Sequence, residues 1–338
     1  MSSFAIIPWT DGFLNDRLFE RHKSRYIDGL IAPYVEFKDC FEKRGHIVHT
    51  IDKYHDYSEI DYFLFFTLDW DIYKEALKYG KDAGLVYCTA EPPSVHRRNS
   101  KPGYRVLKHI FPYILTWNDS WIDNKSIFKR NMPYWFEDQR EGNLLFEEKK
   151  LLTSISGNKK SSYKGELYSE RAKAIDFFEK NHPSEFDFYG TGWDGGIHPC
   201  YKGVADDKSQ IYHKYRFCIC YENIEGLNGY VTEKLLDCLV SGIVPVYAGA
   251  PDISKYVPES CYIKLREFGC YSDLYDHLAS MSESEYSRYL FNADHFLRSG
   301  KREYFSGTKY AEFILEAISQ DKKGFQSSKM AYKIMKRF

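Results

Sequence analysis

The sequence predicts an α/β protein with two domains, each built on a parallel sheet covered by helices. Short apolar segments of strand length alternate with segments of helical periodicity along both halves of the 338-residue chain. A polar, charge-rich link at 137–150 separates the two alternating series. We expect one domain over 1–148, a second over 149–315, and a C-terminal helix or basic tail over 316–338. Such a chain favours an enzyme whose site lies in the cleft between its domains.

The first half contains short apolar runs typical of strands buried on both faces of a parallel sheet. Two helical patterns lie among them, about 27–43 and 71–79. Gly45 and Gly80 provide their C-terminal stops, and Pro33 is expected to break the first helix. The predicted strands are 4–7, 47–50, 62–66, 85–88 and 113–116.

The second half repeats this alternation. The predicted strands are 151–156, 186–189, 217–221, 243–247 and 262–263. The predicted helices lie near 168–181, 207–214, 231–241, 271–281 and 283–297.

Charge and cysteine content exclude several classes of function. The formal net charge is −1, so no overall basic field indicates nucleic-acid binding. The eight cysteines form no CxxC pair or zinc-type spacing, and we interpret them as reduced, buried residues. The chain begins with no basic-then-apolar leader pattern and has no apolar run of membrane-spanning length. We therefore expect a soluble cytoplasmic protein.

Two short motifs do not predict the functions that they first suggest. Residues 190–195 form a literal GxGxxG after a predicted strand, but the glycines and proline that follow leave no room for a helix to receive a pyrophosphate. No Walker sequence is present, so a P-loop kinase is not expected either.

Asp69-Trp70-Asp71 resembles a metal-binding DxD, but acidic residues at a helix N-terminus explain it equally well. No metal site is predicted.

The stretch 217–247 is the most informative part of the chain. Glu222 and Asn223 follow an apolar strand at its carboxyl end, where open α/β sheets bind their ligands. A glycine-rich turn leads into a helix with Lys234 in its first turn, where the helix dipole disfavours a cation by about 0.3–1 kcal/mol. This arrangement indicates an anion site, with phosphate as its ligand. The alternative is a solvated lysine paired with Glu233 or Asp237.

Other candidate site residues also follow predicted strands. Ser156 and Asn158 come at the carboxyl end of 151–156, and Arg171 on the next helix could bind a diphosphate through two nitrogens. Glu91 follows the strand 85–88 and precedes Pro92-Pro93, a stiff turn that suits a positioned general base. The alternatives are a surface arginine and an exposed turn glutamate.

The segments Tyr221-Glu222-Asn223, Gly229-Tyr230-Val231-Thr232-Glu233-Lys234 and 242–249 (GIVPVYAG) together resemble the donor-binding signature of glycosyltransferase family 10. These are the α1,3/1,4-fucosyltransferases that use GDP-fucose, and the resemblance is to bacterial members. It extends over about residues 150–270 and, in the first half, includes only Glu91. It implies a GT-B fold, in which two Rossmann-like domains face a central cleft. The first would bind the acceptor and the second the GDP-sugar.

The resemblance also implies roles for individual residues. Lys234 and Arg171 would bind the diphosphate, and Glu91 would be the general base. The other expected donor-binding residues are Glu233 and Tyr230 at the sugar and its phosphates, Asn223 at the nucleotide, and Glu222, Ser156 and Asn158 beside them.

The implied reaction is the inverting transfer of L-fucose from GDP-β-L-fucose to a hydroxyl, giving an α-linkage. The expected acceptor is O3 of N-acetylglucosamine or a related sugar in a glycan such as a bacterial lipopolysaccharide or O-antigen. No cofactor or metal should be required. The basic tail is expected either to contact the inner face of an anionic membrane or to cap the fold. The alternatives are another GDP-deoxysugar or amino-deoxysugar donor, or a non-catalytic protein that binds GDP or a glycan.

Overall fold

The computed structural model describes residues 1–22, 25–80, 82–137, 144–320 and 325–337. The chain divides into two compact units, which are described separately. The first unit comprises Met1–Trp135 and Glu303–Phe338, and the second comprises Phe136–Arg302. Part of the predicted link, residues 138–143, lies outside the described residues.

The first unit contains a six-stranded parallel sheet in the order β2-β1-β3-β4-β5-β6. Helices α1 (Arg25–Lys43), α2 (Trp70–Tyr79) and α3 (Lys101–Leu107) lie between its strands along the chain. The five strands that the sequence predicts are all present, and a sixth, β6, adds an edge. The strands are β1 (Ser3–Ile7), β2 (Ile47–Thr50), β3 (Tyr62–Phe65), β4 (Gly84–Cys88), β5 (Tyr113–Thr116) and β6 (Ile127–Lys129).

The second unit contains a five-stranded parallel sheet in the order β11-β10-β9-β7-β8. Its apolar core lies between this sheet and the helices that pack on it. The strands are β7 (Lys150–Ile155), β8 (Phe186–Tyr189), β9 (Tyr215–Tyr221), β10 (Val244–Ala248) and β11 (Ile263–Lys264). The helices are α4 (Tyr168–Asn181), α5 (Lys208–Tyr212), α6 (Glu233–Val240), α7 (Tyr271–Ser280) and α8 (Glu283–Arg298). The predicted α/β class is therefore confirmed.

The last part of the chain returns to the first unit as α9 (Gly307–Ile318) and α10 (Lys329–Met335). The sequence interpretation instead placed residues up to 315 in the second domain. Apolar side chains of α9, among them Ile314, pack into the same core as Phe37 and Phe41 of α1. Ala331 and Met335 of α10 are buried in the core on the opposite face of the sheet. Helices therefore cover both faces of this sheet.

The expected break at Pro33 is wrong, because α1 continues from Arg25 to Lys43 with Pro33 inside it. The helix packs closely on α9 at this point. A Cβ atom on Gly307 would lie only 1.6 Å from the carbonyl oxygen of Pro33. Pro33 lowers the intrinsic helix propensity of this segment, but the helix is continuous where it packs against α9.

The GxGxxG segment forms a loop that is hydrogen-bonded to the residues following β7. No helix begins within 190–203. The Ser156 N–H donates to the Tyr189 carbonyl and the Asn158 N–H to the Thr191 carbonyl, both at 2.8 Å. Gly190 has a φ of +141°, and a Cβ atom there would lie 2.0 Å from the Ser156 carbonyl oxygen. Glycine is therefore required where this loop meets β7.

We predict that Gly190→Ala lowers the free energy of unfolding by about 2 kcal/mol or more, because it adds both a steric overlap and an unfavourable φ. Urea unfolding of the variant and the parent protein measures this difference. Gly226→Ala is the matched control, because Gly226 also has a positive φ, +74°, but its Cβ would enter open space. Equal effects of the two substitutions would contradict the close approach of the loop to Ser156.

Candidate functional site

The carboxyl ends of β7 and β9 lie side by side at the point where the strand order reverses. The chain passes from β7 to β8 on one side and then returns to β9 on the other. Open α/β sheets bind ligands in the crevice at such a switch point. The candidate residues Ser156 and Glu222 each directly follow one of these two strands.

Arg171 connects α4 to the end of β9. Its Nη2 donates to the carbonyl oxygens of Tyr221 at 3.0 Å and Glu222 at 2.6 Å, and to Asn223 Oδ1 at 3.0 Å. The residue is only 6% exposed, so the alternative of a surface arginine is wrong. Burial lowers the pKa of Arg171, and the neighbouring Tyr168 and Glu222 oppose that shift. Arg171 therefore positions a positive charge at the switch point.

Glu222 fixes the beginning of α6. Its carboxylate is completely buried and accepts hydrogen bonds from the Thr232 N–H at 2.8 Å and the Thr232 hydroxyl at 2.7 Å. Thr232 is in turn the N-cap of α6. Burial raises the pKa of Glu222, and the nearby Lys234 opposes this effect. The contact holds the N-terminus of α6 against the end of β9.

The Lys234 ammonium lies in a network of oxygen atoms. Its Nζ is 3.1 Å from the Thr232 hydroxyl, 3.2 Å from Glu233 Oε1 and 3.6 Å from Glu222 Oε2. The pairing with Glu233 that the sequence left open is thus present, whereas Asp237 pairs with Lys208 at 2.6 Å. The side chain of Lys234 is 25% exposed, so it is not simply a solvated surface lysine.

A small pocket of about 20 Å³ lies between these residues, enough for about one water molecule. We call it the cationic pocket. Two of its polar groups, Ser156 Oγ and Arg171 Nε, are buried and have no hydrogen-bond partner among the described residues. An oxyanion would provide acceptors for such donors. The residues that line the pocket include Ser154, Ser156, Arg171, Lys208 and Lys234.

Lys208 is the cation of this pocket that the sequence interpretation missed. The helix that carries it is predicted at 207–214 and observed as α5. No sequence spacing relates Lys208 to Lys234, because the two residues come together only through packing of α5 and α6 beside β9. Their shared pocket could be found only from the structure.

Asn223 and Tyr230 adjoin the pocket. The Asn223 amide accepts from Arg171 and donates from Nδ2 to the Tyr230 hydroxyl at 3.3 Å. Tyr230 is 2% exposed. Asn158 lies farther out, in an exposed position, where its amide donates to the Gly192 carbonyl at 3.1 Å. The structure thus brings the predicted donor residues to one edge of the sheet, and their roles stay predictions.

Glu91 lies in the first unit, in the loop that follows β4. The loop is held by hydrogen bonds from Asn99 Nδ2 to the Glu91 carbonyl at 2.7 Å and from the Trp117 indole to the Ala90 carbonyl at 3.0 Å. Pro92 and Pro93 are buried, whereas Glu91 is exposed. A constrained backbone with an exposed carboxylate suits a general base, and that role also stays a prediction.

The acidic DxD segment has a structural role. Asp69 is the N-cap of α2, and its carboxylate accepts from the N–H groups of Asp71 and Ile72 at 2.9 Å. Within the described ranges, no group of three or more His, Cys, Asp or Glu side chains is arranged to hold a metal ion. No described helix combines the length and apolar character needed to cross a membrane.

The fold is that of the GT-B glycosyltransferases. A crystal structure of an α1,3-fucosyltransferase with GDP-fucose superposes with a TM-score of 0.56 at 14% identity, covering 97% of this chain and 93% of that one. The HepE protein of Anabaena, solved with UDP-glucose, gives a TM-score of 0.55 at 10% identity, covering 95% and 100%. At these identities the similarity shows the fold alone.

The second half of the sequence matches a family model. Residues 148–313 match the C-terminal domain model of glycosyltransferase family 10 (fucosyltransferase). An α-(1,3)-fucosyltransferase of Helicobacter pylori is 31% identical over 72 residues, 21% of this chain and 15% of that protein. The α-(1,3)-fucosyltransferase 7 of Bos taurus is 33% identical over 119 residues, 33% of this chain and 34% of that protein. The aligned segments therefore span about a third or less of these relatives.

The charge network predicts a pH dependence of stability. Burial alone would raise the pKa of Glu233, but Lys234 and Lys208 lower it from 4.5 to about 2. The unfolded state therefore binds the proton more readily, and the stability that Glu233 contributes is lost as pH falls from about 4.5 to about 2. We expect the difference in unfolding free energy between the parent protein and Glu233→Gln to shrink over this range.

Urea unfolding at a series of pH values measures that difference. Lys234→Met removes the main cation that lowers the pKa of Glu233, so it should flatten the same acid dependence. A difference between parent and Glu233→Gln that stays constant from pH 6 to pH 2 would contradict the pairing.

Proposed function

We propose that the protein is an inverting glycosyltransferase that transfers L-fucose from GDP-β-L-fucose to a hydroxyl of a glycan, forming an α-linkage. The cationic pocket carries this proposal, because it combines Arg171 and Lys234 with unpartnered donors at the switch point of a family 10 domain. The relatives' names support the same donor. They include α-(1,3)-fucosyltransferases, and one structural neighbour was solved with GDP-fucose.

In this proposal the second unit stabilises the leaving GDP. Negative charge develops on the diphosphate as the bond between the anomeric carbon and the phosphate oxygen breaks. Lys234 and the first N–H groups of α6 would donate to that charge, with Arg171 adding a fixed positive charge beside them. The Lys234 ammonium pairs with the Glu233 carboxylate in the absence of ligand. A phosphate oxygen of the donor would replace Glu233 as its partner.

Other residues of the site would orient the donor. Glu233 has a 45% exposed side chain, and its carboxylate would accept hydrogen bonds from hydroxyls of the fucose. Tyr230 and Asn223 are already joined by a hydrogen bond and would fix the sugar phosphate and the nucleotide together. Ser156 would donate its unpartnered hydroxyl to the diphosphate, and Asn158 would border the nucleotide. Glu222 would act by holding Thr232 and α6 in place.

Glu91 would be the general base. Its carboxylate would take the proton of the acceptor hydroxyl as that oxygen bonds to the anomeric carbon and GDP leaves from the opposite face. Displacement from opposite faces inverts the β-linkage of the donor into an α-linkage. The exposed position of Glu91 on a constrained loop supports this role.

We propose O3 of N-acetylglucosamine or a related sugar as the acceptor position, in a surface polysaccharide such as lipopolysaccharide or O-antigen assembled on the cytoplasmic side of a membrane. The family resemblance supports this acceptor.

The C-terminal tail would contribute peripheral contact with anionic lipid. Part of its apolar face packs in the first unit through Ala331 and Met335, whereas Met330 is 73% and Ile334 39% exposed. Lys322, Lys323 and Phe338 of the tail lie outside the described residues.

We predict that GDP, but not UDP, CMP or NAD, raises the melting temperature of the protein, because the family 10 site is proposed to bind a guanine nucleotide. Lys234→Ala should weaken GDP binding about 10-fold or more, since it removes a charge-assisted hydrogen bond. Thermal-shift titrations measure both effects. Lys255→Ala is the control, because Lys255 is a 63% exposed lysine that pairs with Asp252 in the same unit. Stabilisation by UDP or NAD, or by no nucleotide, would contradict the donor assignment.

We predict that Glu91→Ala lowers kcat by about 10²–10⁴-fold without changing the affinity for GDP, because a general base acts on the acceptor and not on the nucleotide. Steady-state kinetics with GDP-fucose and an N-acetylglucosamine-containing acceptor, together with GDP titrations, measure the two quantities. Glu75→Ala, at an exposed position on α2, is the control. Activity that survives Glu91→Ala would show that another group removes the proton.

A further inference from the structure

Lys208 reaches the cationic pocket from a different helix than Arg171 and Lys234. It is the first residue of α5, whereas Arg171 lies on α4 and Lys234 on α6. All three side chains line the same pocket beside the carboxyl end of β9. The pocket is therefore bordered by cations from three separate elements.

An ion pair with Asp237 fixes the position of Lys208. The two charged atoms are 2.6 Å apart, and the side chains are 27% and 14% exposed. Asp237 lies three residues after Lys234 on α6, so the two residues occupy neighbouring positions on the helix surface. The pair thus holds the Lys208 ammonium beside the same face of α6 that presents Lys234.

The position of Lys208 has an electrostatic effect within the site. After Lys234, it is the second cation that lowers the pKa of Glu233. Three cations of the site lie among three carboxylates, so these charges balance without a ligand. The cations are Arg171, Lys208 and Lys234, and the carboxylates are Glu222, Glu233 and Asp237. A diphosphate adds negative charge, and an ammonium with three N–H donors can bind a phosphate oxygen while it keeps a carboxylate partner.

We propose that Lys208 is a third diphosphate-binding residue of the donor site and that Asp237 positions it. This inference rests on the proposed function, because it takes a phosphate oxygen of GDP as the group that enters the pocket. A phosphate oxygen accepts from the Lys208 ammonium while the Asp237 carboxylate remains on its other side. Lys208 thereby contributes to donor affinity from the wall of the pocket that α5 forms.

Calorimetric titration of the protein with GDP tests this role. We expect Lys208→Met to raise the Kd for GDP about 10-fold or more, since it removes a charge-assisted hydrogen bond. Lys208→Arg retains the positive charge and a charge-assisted donor and should bind GDP within about threefold of the parent protein. Lys202→Met is the matched control, because Lys202 pairs with Asp187 elsewhere in the unit and is 46% exposed; its Kd should equal that of the parent.

Asp237→Asn separates ligand binding from a merely structural ion pair. It breaks the same pair but leaves the Lys208 charge in the pocket, so it should weaken GDP binding by less than about threefold. Equal losses in Asp237→Asn and Lys208→Met, or a Lys208→Met Kd within about twofold of the parent, would overturn the inference. Failure of Lys208→Arg to restore binding would also overturn it. A parent protein that does not bind GDP would instead refute the proposed function, and the role of Lys208 with it.

Discussion

The buried carboxylate of Glu222 holds the beginning of α6 against the end of β9, and the rest of the candidate donor site depends on this contact. Its two hydrogen bonds to Thr232 fix the N-cap of α6, and its charge lies 3.6 Å from the Lys234 ammonium. The backbone carbonyl of Glu222 accepts a hydrogen bond from Arg171. One residue therefore links the two cations that are proposed to bind the diphosphate.

Such a cluster is costly to build. A buried carboxylate and a buried guanidinium each lose hydration worth several kcal/mol, and ion pairing recovers only part of this. Apolar residues of similar size would be expected to serve stability equally well. Unpartnered donors such as Ser156 Oγ and Arg171 Nε add to the cost. This combination is typical of a site that is completed by a ligand, and an anionic nucleotide provides the acceptors that these donors lack.

The sequence predicted the two sheets well because their strands are short, apolar and separated by helical patterns. It also located Lys234, whose charge conflicts with the helix dipole and therefore stands out in the sequence. The loop 190–195 was correctly separated from dinucleotide-binding motifs, but its contact with Ser156 is a tertiary feature. The family model that matches residues 148–313 agrees with the resemblance carried by the segment that contains Lys234.

Other features were not predictable because they depend on distant contacts. The strand β6 has only three residues, and α3 contains Pro102 and Gly103, so local propensity gives little signal for either. The return of 303–338 to the first unit follows from packing of α9 on α1. The ion pair of Lys208 with Asp237 joins two helices that no sequence periodicity relates. The sequence thus pointed to the candidate site, whereas side-chain packing determined its full set of charges.

A crystal structure of the protein with GDP would show directly where the diphosphate binds. We expect diphosphate oxygens to lie about 3 Å from the Lys234 ammonium and from the first N–H groups of α6, at the carboxyl ends of β7 and β9. We also expect Lys234 to have exchanged Glu233 for a phosphate oxygen. A diphosphate bound elsewhere, with Lys234 still paired only with Glu233 and Glu222, would contradict the proposed donor site.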